Sequence, residues 1–122
     1  MKKKVLIIDD SEEFRSLLAQ YLGGKGYLVE AADPVDCLEK TRAYRPDIVL
    51  LDVMMPGRSG IEVLRGLQTD ECTKNVPVLV VTGRHFDREI GTFFLQEPNC
   101  RDFMAKSADL GLLAGRIAEI LS

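Results

Sequence analysis

The apolar positions along the chain fall into short continuous runs separated by stretches with helical spacing. Val5-Leu6-Ile7-Ile8 is uninterrupted and ends in acid. Phe14, Leu17, Leu18, Tyr21 and Leu22 then recur at i, i+3, i+4, i+7 and i+8, one face of a helix. Gly23, Gly24 and Gly26 are expected to end it. Tyr27 to Ala31 is the next strand candidate. Asp33-Pro34 has the form of an N-cap followed by proline at the first helical position, opening a helix to about Tyr44. Pro46 breaks the chain before Ile48-Val49-Leu50-Leu51, again apolar and again ending in Asp. Pro56-Gly57 reads as a turn. Ser59 with Glu62 three residues later is a capping box for a helix carrying Ile61, Leu64 and Leu67. Pro77 introduces Val78-Leu79-Val80-Val81, which ends at Thr82-Gly83. A weaker helical stretch spans about Phe86 to Leu95, and Cys100 to Ala105 is a strand ending at Lys106. A last helix carries Leu110, Leu113, Ala114, Ile117 and Leu121 on one face.

Five strands alternating with five helices imply parallel βαβ units. Uniformly apolar strands fit a sheet covered on both faces. The expected class is therefore a doubly wound α/β sandwich, one domain over residues 1–122. In such sheets ligands bind beyond the carboxyl ends of the strands, at a topological switch point.

The totals narrow this picture modestly. A chain of 122 residues with 46% hydrophobic and 29% charged residues can fill one core and cover it with a polar surface. A net charge of −3 argues against direct nucleic-acid binding, which rests on basic surface. No apolar run approaches the roughly 20 residues of a membrane helix. Lys2-Lys3-Lys4 before an apolar run resembles a signal peptide only until Asp9-Asp10 cut it short. The cytoplasm is the expected location. Cys37, Cys72 and Cys100 are odd in number and widely spaced, so reduced thiols are expected.

The chemistry collects at the strand ends. Asp9-Asp10, Asp52, Thr82 and Lys106 each lie just past, or at the end of, a different apolar strand. Singly, each is an ordinary cap, turn or surface residue; at one sheet edge they form a candidate site. Three adjacent carboxylates repel unless a cation sits among them, and Mg²⁺ suits such oxygen ligands. An Asp carboxylate can attack phosphorus to form an aspartyl phosphate, with Lys106 and a metal balancing charge on the phosphoryl group. Thr82 offers a hydroxyl donor. Neither GxxxxGK(S/T) nor GxGxxG occurs, so a nucleotide is not the expected donor.

These residues resemble the receiver domains of two-component signalling. The matching motifs are Lys4-Val-Leu-Ile-Ile-Asp-Asp10, Asp47-Ile-Val-Leu-Leu-Asp-Val-Met-Met-Pro-Gly57 with Gly60, Val78-Leu-Val-Val-Thr-Gly83, and Asp102-Phe-Met-Ala-Lys106. They cover essentially the whole chain in the family's order. The resemblance implies a flavodoxin-like fold with strand order 2-1-3-4-5. It implies Asp52 as phosphoacceptor, Asp10 as a direct Mg²⁺ ligand, Asp9 acting mainly through a water, and the Met54 carbonyl as the remaining protein ligand. Lys106 would pair with Asp52 and then with the phosphoryl group. Thr82 would be the switch hydroxyl and Phe103 the switch aromatic. The donor would be a phosphohistidine on a histidine kinase or phosphotransfer protein. The output face, made by the fourth helix, fifth strand and fifth helix, would engage a downstream protein or a second copy of the chain.

Several positions depart from the family's pattern. Ser107 stands where a proline usually follows the final Lys, commonly after a cis bond. A cis bond without proline costs about 2.5–4 kcal/mol, so the Lys106–Ser107 bond is expected to be trans. Asn99-Cys100 replaces the usual Gly-Ala. The stretch from Thr82 to Lys106 is slightly long, which suggests an extra turn at Glu97-Pro98-Asn99. Arg84 is expected at the mouth of the site, where it would alter access, and lone His85 is expected to face solvent. Of Phe93 and Phe94, the plain expectation is one in the core and one partly exposed; the sharper reading, an exposed aromatic on that output face, is not favoured for Phe93 and stays open for Phe94.

Three functions compete. The leading one is a phosphorylation-controlled signalling module, either a stand-alone regulator or a receiver cut from a longer protein. A pseudo-receiver that binds partners without phosphorylation is motivated by Ser107 and Asn99-Cys100, and opposed by the intact acidic, Thr and Lys set. A Mg²⁺-dependent phosphohydrolase would need a second acid two residues after its nucleophile, where this chain has Met54.

Overall fold

The computed structural model describes residues 2–55, 58–83, 88–106 and 108–122, with the backbone alone at 54, 55, 58 and 88–90. Along the chain run β1 (Lys4–Ile8), α1 (Glu12–Gly24), β2 (Leu28–Ala32), α2 (Cys37–Tyr44), β3 (Ile48–Leu51), β4 (Met54–Met55), β5 (Arg58–Ser59), α3 (Gly60–Gln68), β6 (Val78–Thr82), α4 (Arg88–Leu95), β7 (Cys100–Ala105) and α5 (Leu110–Leu121). Five strands form one parallel sheet in the order β2-β1-β3-β6-β7. Counted within that sheet the order is 2-1-3-4-5, the flavodoxin-like arrangement. β4 and β5 form a separate antiparallel pair.

The uninterrupted apolar runs have a simple cause. Leu6 and Ile8 of β1 join Val49, Leu51, Val78 and Val80 on one face, against Val63, Leu64 and Leu67 of α3 and Phe94 of α4. Val5 and Ile7 alternate with them, joining Ile48, Leu50, Leu79 and Val81 on the other face, against Leu18 and Leu22 of α1 and Leu113 and Ile117 of α5. Both faces are dry, so both phases of each central strand are apolar.

Some expected boundaries move. Asp33 does cap, its Oδ1 accepting from the N–H groups of Val35 (2.9 Å) and Asp36 (3.3 Å). What it caps is a turn, and α2 begins only at Cys37. β2 lies one residue later than its apolar run suggests, because pairing with β1 sets Lys4 opposite Leu28 and Ile8 opposite Ala32. α1 runs through Gly23 and Gly24; the stop is Gly26, at φ 98°. Leu17 leaves the core face and is 49% exposed. Ser59 Oγ accepts from the Glu62 N–H (3.4 Å), as the capping box requires. The Pro56-Gly57 turn, the segment with Arg84, His85 and Phe86, and the Lys106–Ser107 bond lie outside the described residues.

The long connection into β7 is resolved by two devices. The Glu97 N–H donates to the Phe94 carbonyl (3.0 Å) and the Cys100 N–H to the Glu97 carbonyl (3.1 Å), which makes the extra turn. Within the strand, Val78 pairs with Cys100 but Leu79 with Asp102, so Arg101 forms a β-bulge. The bulge changes the phase of the strand. Cys100 and Phe103 pack on the α3 and α4 side, while Met104 enters the α1 and α5 core. Asn99, 5% exposed, secures the turn: its Nδ2 donates to the Leu64 carbonyl (3.1 Å) and its Oδ1 accepts from Gln68 Nε2 (2.8 Å). Arg65 and Gln68 also hold the Glu97 carboxyl below its usual range. Asn99→Ala removes the Nδ2 donor from the buried Leu64 carbonyl and leaves Gln68 Nε2 with Glu97 alone. It is expected to reduce stability by about 1–3 kcal/mol, read from the urea midpoint. A loss below roughly 0.5 kcal/mol would show the network to be idle.

Candidate functional site

Strand register delivers the site residues to one edge. Ile8 pairs with Leu51 and Thr82 with Ala105, so Asp9, Asp52 and Lys106 leave the sheet beside one another, with Thr82 at the end of β6. The Asp52 N–H donates to the Ile8 carbonyl (2.9 Å), and the Lys106 N–H to the Thr82 carbonyl (2.8 Å). Asp9 is 1% exposed and Asp52 3%, Thr82 is buried, and Asp10 is exposed.

Carboxylate oxygens of Asp9, Asp10 and Asp52 all lie within 4.8 Å of one another. Lys106 Nζ stands 2.8 Å from Asp9 Oδ2 and 3.3 Å from Asp52 Oδ2, so its shorter contact is with Asp9 rather than with the expected partner. Burial pushes the Asp9 carboxyl up from its ordinary value, against the hydrogen bonds of Lys106 and Ser11 that favour its charge. Burial pulls the Lys106 ammonium down, but Asp9 and Asp52 outweigh it and the net shift is upward.

These donors fit a hard divalent cation. Three carboxylates face one ammonium in the set, two of them (Asp9 and Asp52) buried and Asp10 exposed, and all the offered atoms are oxygens. The backbone of Met54 lies two residues past Asp52 in β4.

The raised Asp9 pKa has a stability consequence. Between pH 3.8 and its raised folded value, the folded state holds more of this proton than the unfolded chain, so stability falls as pH rises through that window. Above that window the penalty is fully present. Asp9→Asn is therefore expected to raise the thermal midpoint at pH 7 without divalent cation, with the advantage fading as pH drops toward 3.8. Added Mg²⁺ should stabilise the wild type more than the variant. A variant less stable than the wild type at pH 7 in chelator would contradict this account.

Two contributors come from the first turn of α1. The Ser11 N–H donates to Asp9 Oδ1 (2.8 Å), and Ser11 Oγ accepts from the Phe14 N–H (3.3 Å). Arg15 Nη1 donates to the Asp9 carbonyl (2.9 Å), and the Phe14 ring centroid lies 4.6 Å from Lys106 Nζ. Sequence periodicity assigns Phe14 to the core stripe alone and passes over Arg15. The available signal is an aromatic and a cation three and four residues after a Ser cap that follows the acidic pair.

Phe103 is half-buried on β7, its ring lying over Gly91 of α4, where a Cβ would collide with it. Phe94 enters the core at 8% exposure while Phe93 is 48% exposed, the plain expectation for that pair. A cavity of about 260 Å³ opens between β7 and α5, lined by Phe103, Met104, Ala105, Ala108, Leu112 and Arg116.

Comparison with known proteins agrees with this geometry. Residues 5–118 match the family described as "Response regulator receiver domain". Protein PilH of Pseudomonas aeruginosa is 32% identical over 98% of this chain and 98% of its own length. Hybrid signal transduction histidine kinase D of Dictyostelium discoideum is 32% identical over 99% of this chain, which spans 8% of that protein. The chain likewise spans about half or less of several other regulators and sensor kinases it matches. The solved structure of chemotaxis response regulator CheY4 of Vibrio cholerae superposes with a TM-score of 0.89 at 25% identity, covering 99% of this chain and all of that one. Among the described residues no helix is long and apolar enough to cross a membrane.

Proposed function

The chain belongs to the response regulator receiver domain family, and from that premise we propose that it is a phosphoacceptor signalling module in which Asp52 takes up the phosphoryl group. The observation that carries this reading is the Asp9, Asp10, Asp52 cluster with Lys106 reaching into it. A carboxylate oxygen of Asp52 attacks phosphorus. The phosphorus–nitrogen bond of a donor phosphohistidine breaks, and its electron pair leaves with the imidazole, which keeps or takes a proton from water. Asp9, Asp10, Asp52 and the Met54 carbonyl would hold Mg²⁺, which when bound offsets charge on the phosphoryl oxygens. Lys106 neutralises the same charge from the protein side, and Thr82 donates its hydroxyl to a phosphoryl oxygen.

The partner that supplies the group is a histidine kinase or a phosphotransfer protein. Phosphorylation shifts an existing equilibrium: as Thr82 turns to the phosphoryl group, Phe103, whose ring here lies against Gly91, turns inward. Exposed Phe93 and Leu112 and the groove between β7 and α5 support the α4, β7 and α5 face as the output surface, for a downstream protein or a second copy of the chain. The module works in the cytoplasm by protein contact and catalyses only its own phosphorylation and dephosphorylation.

The test is incubation with Mg²⁺ and a small acyl phosphate or a phosphorylated kinase. A hydroxylamine-labile phosphoryl adduct on the intact protein is expected, and chelator should prevent it. Partner binding without any adduct would favour a pseudo-receiver instead.

A further inference from the structure

The Lys106 side chain occupies a niche whose walls come from four segments. Its stem passes Gly83, where a Cβ would come within 3.4 Å of Lys106 Cδ. Its ammonium reaches Asp9 and Asp52. The remaining wall is the face of Phe14, with the centroid 4.6 Å from Nζ. A cation within about 6 Å of an aromatic face is attracted by the ring's quadrupole, more strongly when water is withdrawn, and the Lys106 side chain is only 19% exposed.

The ring is held in place by the site itself. Asp9 Oδ1 binds the Ser11 N–H, Ser11 Oγ binds the Phe14 N–H, the Phe14 ring meets Lys106, and Lys106 returns to Asp9 Oδ2. This closed circuit sets Phe14 at the margin of the core, partly buried, rather than within it. We infer that Phe14 is a positioning residue: the face of its ring keeps the Lys106 ammonium at the phosphoryl subsite while the two carboxylates beside it change partners.

The physical reason is the different fate of each contact. Asp52 loses charge at the oxygen that bonds phosphorus, and Asp9 belongs to the set that would turn toward a cation. Neither event consumes the ring. Ser107 stands where the family usually has proline, whose ring restricts the preceding residue, so a restraint at the ammonium end of Lys106 would serve in place of that one.

The inference rests on the phosphoacceptor reading for its reaction, but the contact can be tested without it. In the wild type, NMR should show the Lys106 ε-methylene protons shifted upfield by the ring, with the shift lost in Phe14→Leu. With Mg²⁺ and acetyl phosphate, which needs no partner docking, Phe14→Leu is expected to slow adduct formation roughly three- to tenfold. Phe14→Tyr and Phe14→Trp should stay within about twofold of wild type, because both keep an aromatic face. Unshifted Lys106 resonances in the wild type would overturn the inference. So would a Leu variant as fast as wild type, or Tyr and Trp variants as slow as Leu. A wild type that gains no phosphoryl group overturns the phosphoacceptor reading, and the Lys106 resonances still decide the contact.

Discussion

Asp52→Asn is expected to abolish the phosphoryl adduct, lowering its rate of formation by roughly a thousandfold or more, in the range seen when a nucleophile is removed. The amide nitrogen's lone pair is delocalised into its carbonyl, so the replacement keeps the shape and loses the nucleophile. The fold should tolerate the change. Asp52 is 3% exposed, its backbone stays tied to Ile8, and Lys106 keeps its shorter contact with Asp9. Removing the Asp52 charge also relieves repulsion that raises the Asp9 carboxyl, so the thermal midpoint should hold or rise. Loss of the adduct in a variant at least as stable as wild type separates chemistry from unfolding. An adduct forming at the wild-type rate would place the acceptor elsewhere, with Asp10 and Asp9 the next carboxylates to replace.

Much of this fold is legible in the sequence because the central strands are dry on both faces. Val5 to Ile8, Ile48 to Leu51 and Val78 to Val81 are continuous for that reason, and their polar ends mark the sheet edge without any alignment. The same logic brings together Asp9, Asp52, Thr82 and Lys106. Less legible are features set by pairing rather than by pattern. The bulge at Arg101 appears in the sequence only as excess length between Thr82 and Lys106, and nothing local says which residue is extra. Asp33 shows how a correct cap can misplace a helix, since a side-chain oxygen serves a turn as readily as a first helical turn. Phe14 shows the limit of periodicity. An aromatic on the apolar stripe reads as core, and only the tertiary meeting of α1 with Lys106 at the end of β7 reveals that its face meets a cation.

Gly60→Ala should be the most damaging small substitution near the site. Gly60 opens α3 directly after the Ser59 cap and is buried. A Cβ there would lie 2.6 Å from Val53 Cα, Cβ and Cγ1. Two of those atoms have no rotamer to escape into, so backbone must move, and overpacking of this kind costs about 1–3 kcal/mol. For a domain of this size that is a fall of roughly 5 °C in thermal midpoint per kcal/mol. The displacement is aimed at function as well, because Val53 follows Asp52 directly and β4 and β5 pair Met54 with Ser59 across the same turn. Phosphorylation from acetyl phosphate should therefore slow along with the loss of stability. Gly115→Ala is the matched control: exposed within α5, with nothing within 4 Å of the added methyl. It should stabilise by about 0.5–1 kcal/mol through helix propensity alone and leave phosphorylation unchanged. If Gly60→Ala unfolds within roughly 0.5 kcal/mol of wild type, the close approach of α3 to Val53 does not constrain the Asp52 turn, and the site owes its shape to the sheet edge alone.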